Sequence, residues 1–279
     1  MKVLILGAKG MAGHVMVEHF HSLPGVSVYS TTRDRTDSDS LYLDACDEEH
    51  LTKLMEVVRP DVTINCIGLL NEEAAKREQE AIQVNALLPH RLRRLADKTG
   101  GRLIHISTDC VFKGTKGGYV EEDFPDGDSV YAKTKAMGEV RSTPHLTIRT
   151  SIIGPELKNG IGLFHWFMKQ QGRVSGYRGV EWNGVTTVQL AKSVERLLAE
   201  GTSGLVHLTA PVTISKYELL QQLQLLFDKE EVQIVPVDAP VLDRTLRNTR
   251  ADMSLDIPDY PAMLLELKAW MEEHQHGDH

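Results

Sequence analysis

The chain has 279 residues, of which 41% are apolar and 25% charged, and its 31 Lys and Arg against 39 Asp and Glu give a formal charge of −8. This is ordinary globular composition with material for a sizeable core, and it excludes a collagen, a low-complexity polymer and a largely disordered chain. The acidic balance offers no general attraction to nucleic acid or to an anionic membrane surface.

The first half alternates strand-like and helix-like patterns. Val3–Leu6 is a continuous apolar run, as in a strand buried on both faces. Met11–Ser22 has helical spacing, and Val26–Thr32 reads as a second strand. Asp47 is placed to cap a helix running to about Arg59, where Pro60 stops it. Val62–Cys66 is a third buried strand, and Glu72–Lys98 reads as one long helix bent near Pro89. Leu103–Ser107 is a strand, Tyr131–Val140 a helix and Leu146–Thr150 a strand. Beyond Gly154 the pattern loosens, with a short helix (Leu163–Gln171) set in irregular chain. A helix at Val188–Glu200, a strand at Val206–Leu208, a helix at Lys216–Lys229, a strand at Val232–Val237 and a closing helix at Ala262–Glu273 follow. Leu219, Leu220, Leu223 and Leu226 read as core. The expected architecture is α/β, a Rossmann-like doubly wound parallel sheet with a smaller C-terminal α/β region. A dinucleotide-binding domain is expected over 1–154, with 185–211 returning to it, and a mainly substrate-binding region over 155–279.

Cys46, Cys66 and Cys110 form neither a disulfide framework nor a CxxC zinc pair, which points to a reducing, cytoplasmic setting. No run approaches the roughly 18 apolar residues of a membrane span. The Val3–Leu6 run is too short for a signal peptide. The terminal stretch from Glu272 to His279 reads as a frayed tail, and no metal site is expected.

The first strand runs into Gly7-Ala8-Lys9-Gly10-Met11-Ala12-Gly13, a GxxGxxG variant of the dinucleotide fingerprint. Gly7 allows the tight turn, Gly10 lets the backbone approach a pyrophosphate, and Gly13 permits close helix–strand packing. Lys9 and Met11 border the same phosphate site, at a helix N-terminus. At the end of the second strand, where an NAD site usually carries an acid, stands Arg33. Its planar fork suits a 2′-phosphate, so NADPH is favoured, with NADH left open by the adjacent Asp34. Asp44 suits an adenine contact, or equally a turn ahead of the Asp47 cap.

Thr108 ends the Leu103–Ser107 strand at the sheet edge where ligands bind. Tyr131 and Lys135, four apart, share a helix face. A cation one turn away is expected to lower the tyrosine pKa, and Thr108 to polarise a substrate oxygen. The set is a proton relay for carbonyl reduction or alcohol oxidation beside a nicotinamide.

These motifs resemble the extended short-chain dehydrogenase/reductase superfamily, and within it the dTDP-4-dehydrorhamnose reductase-like (RmlD-type substrate-binding) branch. The resemblance rests on Gly7–Gly13, Asn65-Cys66-Ile67-Gly68, Ile82–Ala86, Ser107–Phe112, Tyr131–Lys135 and Arg149-Thr150-Ser151. It implies Thr108, Tyr131 and Lys135 as the catalytic trio. Asn65, Cys66 and Gly68 would line the nicotinamide side, joined at the cofactor by Ser107, while Asn85 holds neighbouring backbone. Asp109, Ile152, Asn183 and Arg244 would meet substrate, with Lys158, Asn159, Trp182 and Arg247 as further candidates. Related 4,6-dehydratases follow the Thr with Asp-Glu; here it is Asp109-Cys110, and a thiol is no carboxylate base, which disfavours elimination. The resemblance therefore implies reduction of a 4-keto group on a nucleotide-linked 6-deoxy sugar, for surface-polysaccharide precursors. Both a UDP-4-keto-6-deoxy-N-acetylhexosamine and a dTDP-4-dehydrorhamnose type of substrate stay open. So do a sugar-nucleotide epimerase and a non-catalytic NADP-binding regulatory subunit. A homodimer is an assembly that related folds commonly take.

Overall fold

A computed structural model describes residues 1–157, 160–253 and 255–275. Its first strand, β1 (Lys2–Leu6), shows why an unbroken apolar run is needed at the centre of a parallel sheet. Val3 and Ile5 point into one core and Leu4 and Leu6 into another, on the opposite face, and all four are fully buried. The same alternation places Ile104 in the first core and Leu103 in the second.

The remaining strands of the first half are β2 (Ser27–Thr32), β3 (Leu41–Tyr42), β4 (Val62–Asn65), β5 (Arg102–Thr108) and β6 (Leu146–Thr150). With the strand Gly204–His207 they form a seven-stranded sheet in the order Gly204–His207, β6, β5, β4, β1, β2, β3. Every pairing in it is parallel. The order reverses between β1 and β4, and their C-terminal ends open the crevice where such sheets bind ligands.

The expected single helix over 72–98 is broken. Short helices Asn71–Lys76 and Glu78–Ala81 meet at Arg77, whose φ/ψ of −125°/54° is not helical. A π-helical turn, Ile82–Leu87, then leads into the helix Leu88–Thr99. Pro89 therefore sits in the first turn of the last helix, where it is tolerated, and the distortion precedes it. The π turn brings Asn85 wholly inside.

The segment expected to be mostly irregular, 156–187, carries short strands. Gly172–Tyr177 pairs in parallel with Val232–Val237. Val180–Trp182 lies between Ile214–Ser215 and Leu242–Asp243. Glycine and serine dilute the apolar alternation here: in Gly172–Tyr177 only Val174 and Gly176 are buried. Phe164, Phe167, Val174, Trp182, Leu219 and Leu223 share one continuous core with Val3, Ile5 and Val15.

Beneath the sheet edge lies a buried ion pair. Arg149, on β6, is fully buried, and its Nε and Nη2 donate to Glu139 Oε1 and Oε2 at 2.6 and 2.7 Å. Ser107 Oγ donates to the same carboxylate at 3.0 Å. Arg149 Nη1 reaches the Glu121 carbonyl at 3.4 Å and lies 3.3 Å from His207 Nε2. Replacing Arg149 with Met would strand the Glu139 carboxylate. Arg149→Met is expected to lower unfolding free energy by about 3–5 kcal/mol. A urea midpoint equal to that of the unaltered protein would contradict this.

Candidate functional site

β1 runs into Gly7, whose φ of +80° most side chains avoid. A Cβ on Gly13 would lie 2.0 Å from the Gly7 carbonyl oxygen, so the helix Met11–His21 can approach the turn only with glycine there. That helix starts at Gly10 without a side-chain cap and has no acid in its first turn. Its free N–H groups and positive pole are left for an anion.

They face a cleft of about 680 Å³ bordered by Gly7, Gly10, Met11, Arg33, Asp44 and Cys66. Gly68 and Lys9 also border it. Lys9 is already paired with Asp37 at 3.1 Å. Gly13 is the packing contact behind the turn and is not on the cleft wall. Arg33 is mostly exposed, and its Nη1 lies 3.4 Å from Glu80 Oε1. Arg35 stands on the same rim with its guanidinium 4.0 Å from the centre of the Tyr42 ring. Sequence reasoning passes it over, since it stands in a turn beyond β2 where no strand alternation signals it. Asp44 Oδ1 accepts from Cys46 N at 3.0 Å, so it closes a turn as well as facing the cleft.

Three residues expected at the cofactor lie behind the cleft wall. Asn65 is fully buried, accepting from Ile67 N at 3.1 Å and reaching His105 Nδ1 at 3.1 Å. Ser107 is turned to Glu139. Asn85 accepts from Leu69 N at 2.8 Å and donates to Leu69 O at 2.9 Å and Thr134 Oγ1 at 3.2 Å. The peptides that follow β4 are short of partners, and Asn65 and Asn85 supply them at Ile67 and Leu69.

Ser129 caps the helix Val130–Met137 that carries Tyr131 and Lys135. Tyr131 packs with Ala74, Ala81 and Leu69, under the segment that follows β4. Burial pushes its phenol pKa up, Cys110 and Asp109 add to that, and a hydrogen bond with Thr108 opposes it. This corrects the expected lowering by Lys135. The Lys135 ammonium is directed elsewhere, donating to Ile106 O at 2.7 Å and standing 3.4 Å from His105 Nε2. Burial brings Lys135 itself down to about 8, against Glu139 and Cys66. Thr108 Oγ1 donates to Asp109 Oδ1 at 3.1 Å and accepts from Cys110 N at 3.1 Å. Thr108 and Tyr131 are thus brought together while Lys135 is turned toward His105, and none of the three borders the 680 Å³ cleft.

On the expected substrate side, burial raises the Asp109 carboxyl pKa, while Arg244 and Lys216 hold it down. Arg244 donates to Phe112 O at 2.8 Å and lies 3.7 Å from Cys110 Sγ. Lys216 is an addition that no local pattern signals, since it merely opens a helix capped by Ser215. Its Nζ lies 4.5 Å from the centre of the Trp182 ring, and burial lowers its pKa to about 8 against Asp109. Asn183 spends both amide atoms on Leu246 backbone, at 2.7 and 3.0 Å, so it pins chain instead of offering a free amide. Ile152 is half-buried in a short strand paired with Val185–Thr186. Lys158, Asn159 and the tail 276–279 lie outside the described residues.

Residues 1–273 match the family model described as the RmlD substrate binding domain. A Streptomyces niveus protein, dTDP-4-keto-6-deoxy-D-glucose reductase, is 27% identical over 243 residues, covering 84% of this chain and 81% of that one. The rat methionine adenosyltransferase 2 subunit beta is 30% identical over 142 residues, 50% of this chain and 41% of that relative. The structure of a dTDP-4-dehydrorhamnose reductase from Clostridium acetobutylicum superposes with a TM-score of 0.82 at 23% identity. It covers 98% of this chain and 100% of that one.

Asn85→Leu removes the two side-chain bonds that fasten the Leu69 backbone, and a third to Thr134. It should cost about 1–3 kcal/mol and speed amide exchange at Leu69. Unchanged exchange there would mean the segment is held by its apolar contacts alone.

Proposed function

The chain belongs to the RmlD substrate binding domain family, and on that footing we propose that it uses NADPH to reduce the 4-keto group of a nucleotide-linked 6-deoxy sugar. The observation that carries this is the meeting of Thr108 and Tyr131 at the C-terminal end of β5, with Lys135 on the same helix as Tyr131, two strands from the glycine turn that follows β1. The cleft fits a dinucleotide: the glycine turn leaves room at an uncapped helix N-terminus, and two arginines stand on its rim. The cofactor supplies hydride when bound.

The protein's own part is proton delivery. A reductase needs a donor that keeps its proton until an alkoxide develops, and burial holds the Tyr131 proton in place. Thr108 can turn its hydroxyl from Asp109 to the substrate oxygen. Lys135 stands one turn along the same helix with its ammonium on Ile106 O, and acts on the phenolate only as a charge at a distance. The forks of Arg33 and Arg35 suit a 2′-phosphate, which favours NADPH over NADH. The Streptomyces relative favours a dTDP-linked hexose over a UDP-linked N-acetylhexosamine. The reading carries with it a role in polysaccharide-precursor synthesis in the cytoplasm, where the three free cysteines stay reduced.

A second reading, a non-catalytic NADP-binding subunit, is favoured by the covering of Tyr131 and by the likeness to a relative described as a subunit.

NADPH consumption with freshly generated dTDP-linked and UDP-linked 4-keto-6-deoxy sugars separates the two. Turnover with either supports the reductase, and NADPH binding without turnover supports the subunit. Tyr131→Phe is expected to cut turnover by about 10²–10⁴-fold with cofactor binding retained. Arg33→Ala should weaken NADPH about tenfold or more and leave NADH nearly unchanged; equal losses would refute the 2′-phosphate role. Turnover should fall as pH rises through about 8, because Lys135 is charged only below that value.

A further inference from the structure

Behind Tyr131, three buried side chains stand in a row, and their hydrogen bonds admit one arrangement of protons. The Asn65 amide is oriented by the backbone, because its Oδ1 accepts from Ile67 N at 3.1 Å. A flipped amide would face that N–H with another donor. Asn65 Nδ2 therefore donates to His105 Nδ1, 3.1 Å away. A neutral imidazole that accepts at Nδ1 carries its proton on Nε2. His105 is wholly buried, and burial, with Lys135 and His90 nearby, keeps it neutral far below its ordinary pKa. Its Nε2–H thus points at Lys135 Nζ, 3.4 Å away, while Nζ donates to Ile106 O at 2.7 Å.

An ammonium there meets a second donor. A neutral amine accepts from Nε2–H with its lone pair and still donates to Ile106 O. We infer that His105 is a positioning residue for the proton relay: Asn65 fixes its ring proton on Nε2, and that N–H works against the charged form of Lys135. The consequence for turnover rests on the reductase reading. The tautomer itself rests on the Asn65 geometry and on the burial of His105.

The other titratable groups around Lys135 do not supply this bias. Glu139 and Cys66 favour the charged form. Asp109 and Cys110, on the turn after β5, act on Tyr131. His90, on the helix Leu88–Thr99, bonds to Met137 O and bears on His105. Glu72 and Glu73, on the helix covering Tyr131, are 90% and 50% exposed. Glu80 pairs with Arg77 and Arg33. Burial also lowers the charged form, but it is indifferent to which ring nitrogen carries the proton.

The test uses the full chain without substrate. Imidazole ¹⁵N spectra of the labelled protein should show His105 protonated at Nε2 across pH 6–9, and a proton on Nδ1 would overturn the inference. Asn65→Asp is nearly isosteric and keeps the acceptor for Ile67 N. Its carboxylate should draw the proton to Nδ1 and present the Nε2 lone pair to the ammonium. The Lys135 Nζ titration should then move up by about one pH unit, a tenfold change in proton affinity. A moved ring proton with an unmoved Lys135 titration would also overturn it. In turnover, the basic limb of kcat should shift with the lysine while KM for NADPH stays. If no keto-sugar is reduced, the reductase reading fails, while the two NMR titrations still decide the tautomer.

Discussion

A guanidinium buried to the last atom is tolerable only if its charge and its donors are answered, and Arg149 is answered almost entirely by Glu139. The two come from different layers. Glu139 follows the helix that holds Tyr131 and Lys135, and Arg149 lies on β6. Ser107 joins the carboxylate from β5, one residue before Thr108, and His207 approaches the guanidinium from the edge strand. Glu121 then links His207 N at 3.0 Å to Thr249, fastening the C-terminal part to the same knot. A pair worth little as net stability thereby fixes the helix of Tyr131 and Lys135 against the strand end that carries Thr108.

Much of the fold is legible because the central sheet imposes a pattern that local sequence must obey. β1, β4 and β6 are buried on both faces, so they are apolar without interruption or carry polar groups that find inward partners, as Thr63 and Arg149 do. The glycine turn is legible for a similar reason: Gly13 has no room for a Cβ. The broken helix over 71–99 is not, because the distortion belongs to Asn85 and to the Leu69 backbone it must reach. Neither is visible in helical periodicity. The short strands of 172–182 are hidden by glycine and serine at positions where a hydrophobe would have announced them.

The candidate site divides along the same line. Residue types needed at the end of each strand can be read from motif order, and Thr108 and Tyr131 do meet. The direction of each side chain depends on neighbours far away in sequence. Lys135 faces His105 and the Ile106 carbonyl because Asn65 and the strand end stand there. Asn183 is consumed by Leu246, and Lys216 reaches Trp182 only through the packing of its helix. Spacing along a helix says which face a group shares, and says nothing of what already occupies that face.

The edge strand Gly204–His207 has a consequence for how the chain is made. Until it emerges from the ribosome, β6 presents an open hydrogen-bonding edge, and Phe164, Phe167 and Val174 have only part of their shared core to close upon. Leu219, Leu223 and Met263 come later still. Synthesis therefore holds the nascent molecule in a long, exposed interval, from the completion of β6 to the arrival of the last helix Tyr260–Gln275. A pause in translation within that interval would weigh on yield far more than one before it.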